Sequence, residues 1–192
     1  ALVPSEAGGA EGAPEMTWRA WHGTSRRFAA ALAAAGDGAG DAVAVWADNR
    51  LLWPVADMGV ALAAGVSVGL YPTAAPAQVR DRLDDAGARR LVVDTAGRLR
   101  AVLEGPELDG LETVIAPAVA VAGAGAGDGG TDRGPEVVEW DAWLDRGRRA
   151  LEEGGADGDL AARRAGLSPG DTALLIYTSG STGRPKAARI SH

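Results

Sequence analysis

The chain has 192 residues, 46% of them hydrophobic, which is enough apolar material for one domain with a buried core or a large part of one. A formal net charge of −7 argues against nucleic acid as a partner, because a phosphate backbone needs a basic face. Cysteine is absent and His22 and His192 are the only histidines, which excludes disulfides and a thiolate metal site and disfavours a histidine-built one.

No apolar run approaches the length of a membrane span and no signal-peptide pattern opens the chain, so a soluble cytoplasmic protein is the expectation. The chain starts Ala-Leu-Val-Pro, without Met, and stops at Ser191-His192. Both ends read as cuts, so we expect a fragment of a longer protein. Residues 1–15, rich in Gly, Ala, Pro and Glu, read as a disordered segment or N-terminal arm.

From Thr17, a capping residue, a helix is expected with Trp18, Trp21, Ser25, Phe28 and Leu32 on one face. The Gly/Asp run at 36–41 stops it, and 43–46 reads as a buried strand. A second helix should begin near Pro54 and end at Gly65. Residues 66–70 form the next strand, closed by Tyr71-Pro72-Thr73. A third helix starts near Pro76 and ends at Gly87, burying Val79 and Leu83. Then come a strand at 91–93, a short helix around 99–103 and a strand around 113–115. Residues 121–134 lack an apolar period and read as a flexible surface insertion. Residues 137–140 form a short strand, Asp141 caps a helix to about Glu153, and 160–165 is a short helical segment. Residues 172–177 form a last strand before a polar loop. The alternation predicts an α/β fold, a largely parallel sheet flanked by helices.

Three stretches could hold phosphate. Gly125-Ala126-Gly127-Asp128-Gly129-Gly130 fits G-x-G-x-x-G in form, but Thr131–Pro135 cannot open the helix such a site needs, so it reads as linker. Gly180 and Lys186 have Walker A spacing, yet Pro185 offers no N–H and Ala187 stands where a Mg²⁺-binding hydroxyl belongs. The third is the loop at 177–186 on its own terms, Tyr-Thr-Ser-Gly-Ser-Thr-Gly-Arg-Pro-Lys. Gly180 and Gly183 permit a backbone nest for anions, and Thr178, Ser179, Ser181 and Thr182 add hydroxyl donors. Lys186 adds a compact positive charge, and Pro185 stiffens the exit. Lys186 is the only lysine; the other 18 of 19 cationic residues are arginine. An ammonium can sit among phosphate oxygens where a planar fork cannot. The bland alternative is a passive polar surface loop.

Residues 177–186 resemble the phosphate-loop signature of the adenylate-forming (AMP-binding) superfamily, which includes acyl-CoA synthetases, non-ribosomal peptide synthetase adenylation domains and firefly luciferase. Ala187 departs from the glycine usual there. Asp41-Ala42-Val43-Ala44-Val45, the stretch at 56–66 and Leu83-Asp84-Asp85-Ala86-Gly87 resemble the same family, and Gly69-Leu70-Tyr71-Pro72-Thr73 looks most like bacterial long-chain fatty-acid–CoA ligases.

The resemblance implies that residues 16–192 are an incomplete N-terminal AMP-binding domain. It implies ATP, Mg²⁺ and CoA, a fatty acid as substrate, and peripheral membrane contact of the longer protein without a span. Thr178, Ser179, Gly180, Ser181, Thr182, Gly183 and Lys186 would bind the ATP phosphates. The family's Mg²⁺ ligand and catalytic lysine would lie beyond His192, so no catalytic residue is expected within the chain, which should be inactive alone. A different carboxylate, a carrier-protein acceptor and a non-catalytic nucleotide-binding module stay open as alternatives. The pairs Asp84-Asp85 and Glu152-Glu153 read as solvated charge, the tryptophans as packing, and Tyr177 as a support for the loop.

Overall fold

The computed structural model describes residues 16–106, 108–126, 134–178 and 186–192. Strands β1 (Ala42–Trp46), β2 (Val66–Leu70), β3 (Arg90–Val93), β4 (Thr113–Ala116), β5 (Glu136–Glu139), β6 (Thr172–Thr178) and β7 (Lys186–Ser191) form one sheet in the order β5-β4-β3-β1-β2-β6-β7. Every neighbouring pair is parallel except β6 and β7, which are antiparallel. The helices are α1 (Trp18–Ala34), α2 (Leu52–Leu62), α3 (Pro76–Ala86), α4 (Ala96–Leu103), α5 (Ala118–Ala124), α6 (Trp140–Glu152) and α7 (Ala156–Ala165). The expected α/β architecture is therefore the observed one.

Alternation along the strands builds two cores. Val43, Val45, Val92, Ile115 and Val138 meet α1, α2, α6 and α7 on one face. Ala44, Trp46, Val68, Leu91, Val93 and Val114 meet α3, α4 and α5 on the other. Strands covered on both sides read as unbroken apolar runs, and all five residues of β1 are buried. By contrast, every residue of β7 is exposed. At the amino ends of β3 and β4, the buried Arg90 donates to Asp37 at 3.0 Å, Glu112 at 2.8 Å and the Ala35 carbonyl at 3.0 Å. It thereby fixes the turn after α1. Burial pushes the Asp37 carboxyl up from its ordinary pKa, against the opposing pull of Arg90.

Several boundaries differ from the sequence expectation. Thr17 caps α1 through the Ala20 N–H, but the face begins to bury only at Ser25, and Trp18 is 62% exposed. Helix α2 starts at Leu52 and ends at Leu62, where Ala64, not Gly65, takes the left-handed conformation (φ 59°). Gly65 is needed for a different reason: a Cβ there would lie 3.0 Å from the Asp41 carbonyl. Residues 121–124, read as insertion, are the second half of α5, with Val121 buried. Small residues carry that helix, so no apolar period marked it. Glu139, not Asp141, is the N-cap of α6, and α7 begins four residues earlier than expected, at Ala156. The arm at 1–15 and residues 127–133, including most of the G-x-G-x-x-G stretch, lie outside the described residues.

Helix α1 lies between α2 and α6 at distances that only glycine allows. A Cβ on Gly59 of α2 would sit 2.7 Å from Phe28 Cδ1. One on Gly147 of α6 would sit 1.8 Å from the Arg27 carbonyl oxygen and 2.9 Å from the Ala31 nitrogen. Backbone cannot swing aside, so Gly147→Ala should destabilise by about 1–3 kcal/mol, more than the roughly 1 kcal/mol that alanine gains in a helix. Gly23→Ala in α1, where nothing lies within 4 Å of the added carbon, should keep that gain. Urea unfolding midpoints of the two variants should move in opposite directions.

Candidate functional site

Chain order sets where a ligand can sit. From β1 the chain crosses by α2 to β2 on one side; from β2 it crosses by α3 to β3 on the other side of β1. Parallel sheets take ligands at the carboxyl ends of strands where the order reverses in this way. Here the exits of β1, β2 and β3 converge, and β6, parallel to β2, brings Thr178 to the same edge.

Arg98, in the first turn of α4, ties the three exits together. Its guanidinium pairs with Asp94 after β3, donates to Asp48 after β1 at 2.7 Å, and donates to the Pro72 carbonyl after β2 at 3.1 Å. Asp94, whose side chain is 3% exposed, also accepts the Asp48 N–H at 2.9 Å. The Arg98 guanidinium stands 5.8 Å from the Trp46 ring centroid. Burial opposes the Arg98 charge, but the hydrogen bonds and charges of Asp48 and Asp94 outweigh it and raise its pKa. The Arg98 hydrogen bond holds the Asp48 carboxyl below the usual range, against a smaller opposing effect of burial. Only the Asp94–Arg98 pair is local, four residues apart; the links to Pro72 and Asp48 span 26 to 50 residues and nothing in the sequence marked them.

Beside it lies a cleft of about 360 Å³, lined chiefly by Asn49, Trp53, Tyr71, Pro72, Leu174 and Ile176. Trp53, expected to pack, forms part of its wall. The β1 and β2 exits that Arg98 joins supply part of its wall, and Trp53 and β6 supply the rest.

The polar loop is a hairpin between antiparallel strands. Thr178 pairs with Lys186 across its base, and the Thr178 hydroxyl reaches the Lys186 carbonyl at 3.5 Å. Of the predicted phosphate-binding set, Thr178 and Lys186 are brought opposite each other at the sheet's carboxyl edge. Ser179, Gly180, Ser181, Thr182 and Gly183 lie outside the described residues. Tyr177 is buried against α3 and its hydroxyl donates to Asp85 at 2.6 Å. Asp85 is exposed, as a solvated charge would be, but its bond to Tyr177 is one that sequence reasoning missed. Among the described residues no group of three or more His, Cys, Asp or Glu side chains could hold a metal ion, and no helix is long and apolar enough to cross a membrane.

A comparison with known protein families matches residues 8–192 to the AMP-binding enzymes. The chain belongs to the AMP-binding enzyme family. Among curated relatives, it is 32% identical over 184 residues to a 3-[(3aS,4S,7aS)-7a-methyl-1,5-dioxo-octahydro-1H-inden-4-yl]propanoyl:CoA ligase of Rhodococcus jostii, covering 95% of this chain and 34% of the relative. It is 33% identical over 169 residues to the long-chain-fatty-acid–CoA ligase FadD15 of Mycobacterium bovis, covering 86% of this chain and 24% of the relative. The chain thus spans about a third or less of these relatives. The crystal structure of the N-terminal domain of FACL13 from Mycobacterium tuberculosis shares the fold, with a TM-score of 0.64 at 23% identity over 92% of this chain and 37% of that one.

Replacing Arg98 by Met leaves the buried Asp94 only the Asp48 N–H and Arg50 at 3.9 Å, and should destabilise by roughly 3 kcal/mol, the low end for a broken buried pair. The lowered Asp48 pKa adds stability that is complete above the ordinary carboxylate value of about 3.9 and is lost as pH falls through the depressed folded value. Without Arg98 that loss disappears. Chemical denaturation between about pH 5 and about pH 2 should therefore show a shallower decline for Arg98→Met than for the wild type.

Proposed function

We propose that this chain is the polyphosphate-gripping part of an ATP-dependent acyl-CoA synthetase that activates a fatty acid. The observation that carries the reading is the β6–β7 hairpin. It sets the one lysine of the chain opposite a threonine at the carboxyl edge of a doubly wound sheet, with Ser179–Pro185 between them. On this reading Thr178, Ser179, Gly180, Ser181, Thr182, Gly183 and Lys186 hold the β- and γ-phosphates of ATP. A substrate carboxylate oxygen attacks the α-phosphorus and the α–β P–O bond breaks. Acyl-adenylate forms and pyrophosphate departs. The thiol of CoA then attacks the acyl carbon, AMP leaves with the C–O electron pair, and the thiol proton passes to solvent.

The loop works by charge stabilisation and placement of a leaving group, the effects a fixed cradle of donors provides. Mg²⁺ belongs to such chemistry, but the described residues offer no cluster that fits it, and no step here passes through it. Long-chain substrates are favoured by the likeness of residues 69–73 and by the FadD15 relative. Peripheral membrane contact and a cytoplasmic location belong to the same reading. The chain covers 24–34% of those relatives, so the activity proposed is that of a polypeptide of their length.

Carboxylate-dependent exchange of labelled pyrophosphate into ATP tests this on the full-length gene product. A panel of fatty acids should support exchange, with CoA completing turnover. Lys186→Ala should lower kcat/KM for ATP by about 10²-fold, as expected for losing one preorganised charge at a developing anion. Unchanged exchange in that variant would overturn the assignment of the loop.

A further inference from the structure

The hairpin is joined to the body of the protein by less than its position suggests. The β2–β6 ladder runs from Ser67↔Leu174 to Gly69↔Ile176 and stops there. Tyr177 and Thr178 extend past it. Among the described residues their sheet partner is β7 alone, and β7 is exposed along its whole length. Beyond Ile176, ladder pairing with the core therefore does not tie down the hairpin base.

The side chain of Tyr177 does. It is 2% exposed, so its hydroxyl needs a partner within the protein. Helix α3 supplies one: the hydroxyl donates to Asp85 Oδ2 at 2.6 Å, with the Arg82 carbonyl at 3.4 Å. Arg82, 7% exposed and one turn earlier on the same face, places its guanidinium 5.6 Å from the ring centroid. Among the described residues Arg82 and Asp85 form no ion pair with each other, so the carboxylate is available to the phenol. Burial and the Asp85 hydrogen bond both push the Tyr177 hydroxyl well above its ordinary pKa, so it stays a donor.

We propose that Asp85 is a positioning residue for polyphosphate binding, acting through Tyr177 to set the direction in which the hairpin leaves the sheet. The inference rests on the loop assignment above and deepens it. Asp85 touches no phosphate. It holds the residue before Thr178, and Thr178 begins the cradle. A misdirected hairpin loses contact with the β- and γ-phosphates but not with the adenosine monophosphate portion of the nucleotide.

Calorimetric titration of the full-length gene product with inorganic pyrophosphate and, separately, with AMP distinguishes this from a purely structural bond. Tyr177→Phe removes the hydroxyl alone, Asp85→Ala removes the acceptor, and Asp85→Asn keeps one. The first two should weaken the pyrophosphate Kd about fivefold, the scale of one hydrogen bond, with the AMP Kd unchanged; Asp85→Asn should stay within about twofold of wild type. Pyrophosphate binding that persists in wild type, depends on Lys186 and ignores both Tyr177→Phe and Asp85→Ala would overturn the positioning role and leave the loop assignment standing. Parallel weakening of pyrophosphate and AMP with a lowered Tm would also overturn it. A wild-type protein that binds no pyrophosphate would remove the loop assignment itself, and this inference with it.

Discussion

Close approach of helix backbones around α1 is the constraint on which this fold turns. Gly59 brings α2 against Phe28, and Gly147 brings α6 against Arg27 and Ala31, of one helix in which Ala29, Ala30 and Ala31 are buried. Fixing α2 fixes the start of the crossover from β1 to β2, and fixing α6 fixes the layer over β4 and β5. The order of strands, and with it the edge where chain exits meet, follows from that layer. Side chains at those two positions would have to displace a neighbouring aromatic ring or main chain.

The two ends of the sheet use charge differently. At the amino edge, Arg90 is enclosed and spends its donors on Asp37, Glu112, Thr113 and a helix-terminal carbonyl. At the carboxyl edge, Arg98 joins three separate exits and keeps part of its surface open beside a cleft. Buried ionic groups of this kind are costly to remove piecemeal and define geometry more than they add net stability. The carboxyl-edge cluster thus holds the β1, β2 and β3 exits in one frame, although its residues contribute nothing to the phosphate-loop signature.

Much of this was readable from the residues. The third helix was legible because Pro76 opens it and Gly87, at φ 60°, closes it. The strand at 66–70 was equally plain, since a parallel strand covered on both faces is a short apolar run between turns. The polar loop stood out by its glycines, hydroxyls and lysine. Helix α5 was not, because Ala, Val and Gly alternate there without a periodic polar face. Nor was the left-handed turn at Ala64, where a residue that normally avoids that conformation is held by the Gly40 N–H bonding its carbonyl at 2.8 Å. Asp48 as the partner of Arg98 and Asp94, and Asp85 as the partner of Tyr177, were invisible for a simpler reason. Hydrogen bonds across 46 to 92 residues leave no local periodicity, and an acidic pair at a helix end looks the same whether or not a distant phenol finds it.

Every ion pair among the described residues uses arginine as its cation. The guanidinium stays charged at any physiological pH and resists acyl donors. Lysine, by contrast, has a nucleophilic amine, and this chain places its single copy at the exit of the hairpin. Chemistry that modifies ε-amines therefore meets one side chain here. Acylating it would erase positive charge at the hairpin while leaving each of those cross-links intact, so the scaffold and the grip on a bound anion can be chemically separated at a single nitrogen.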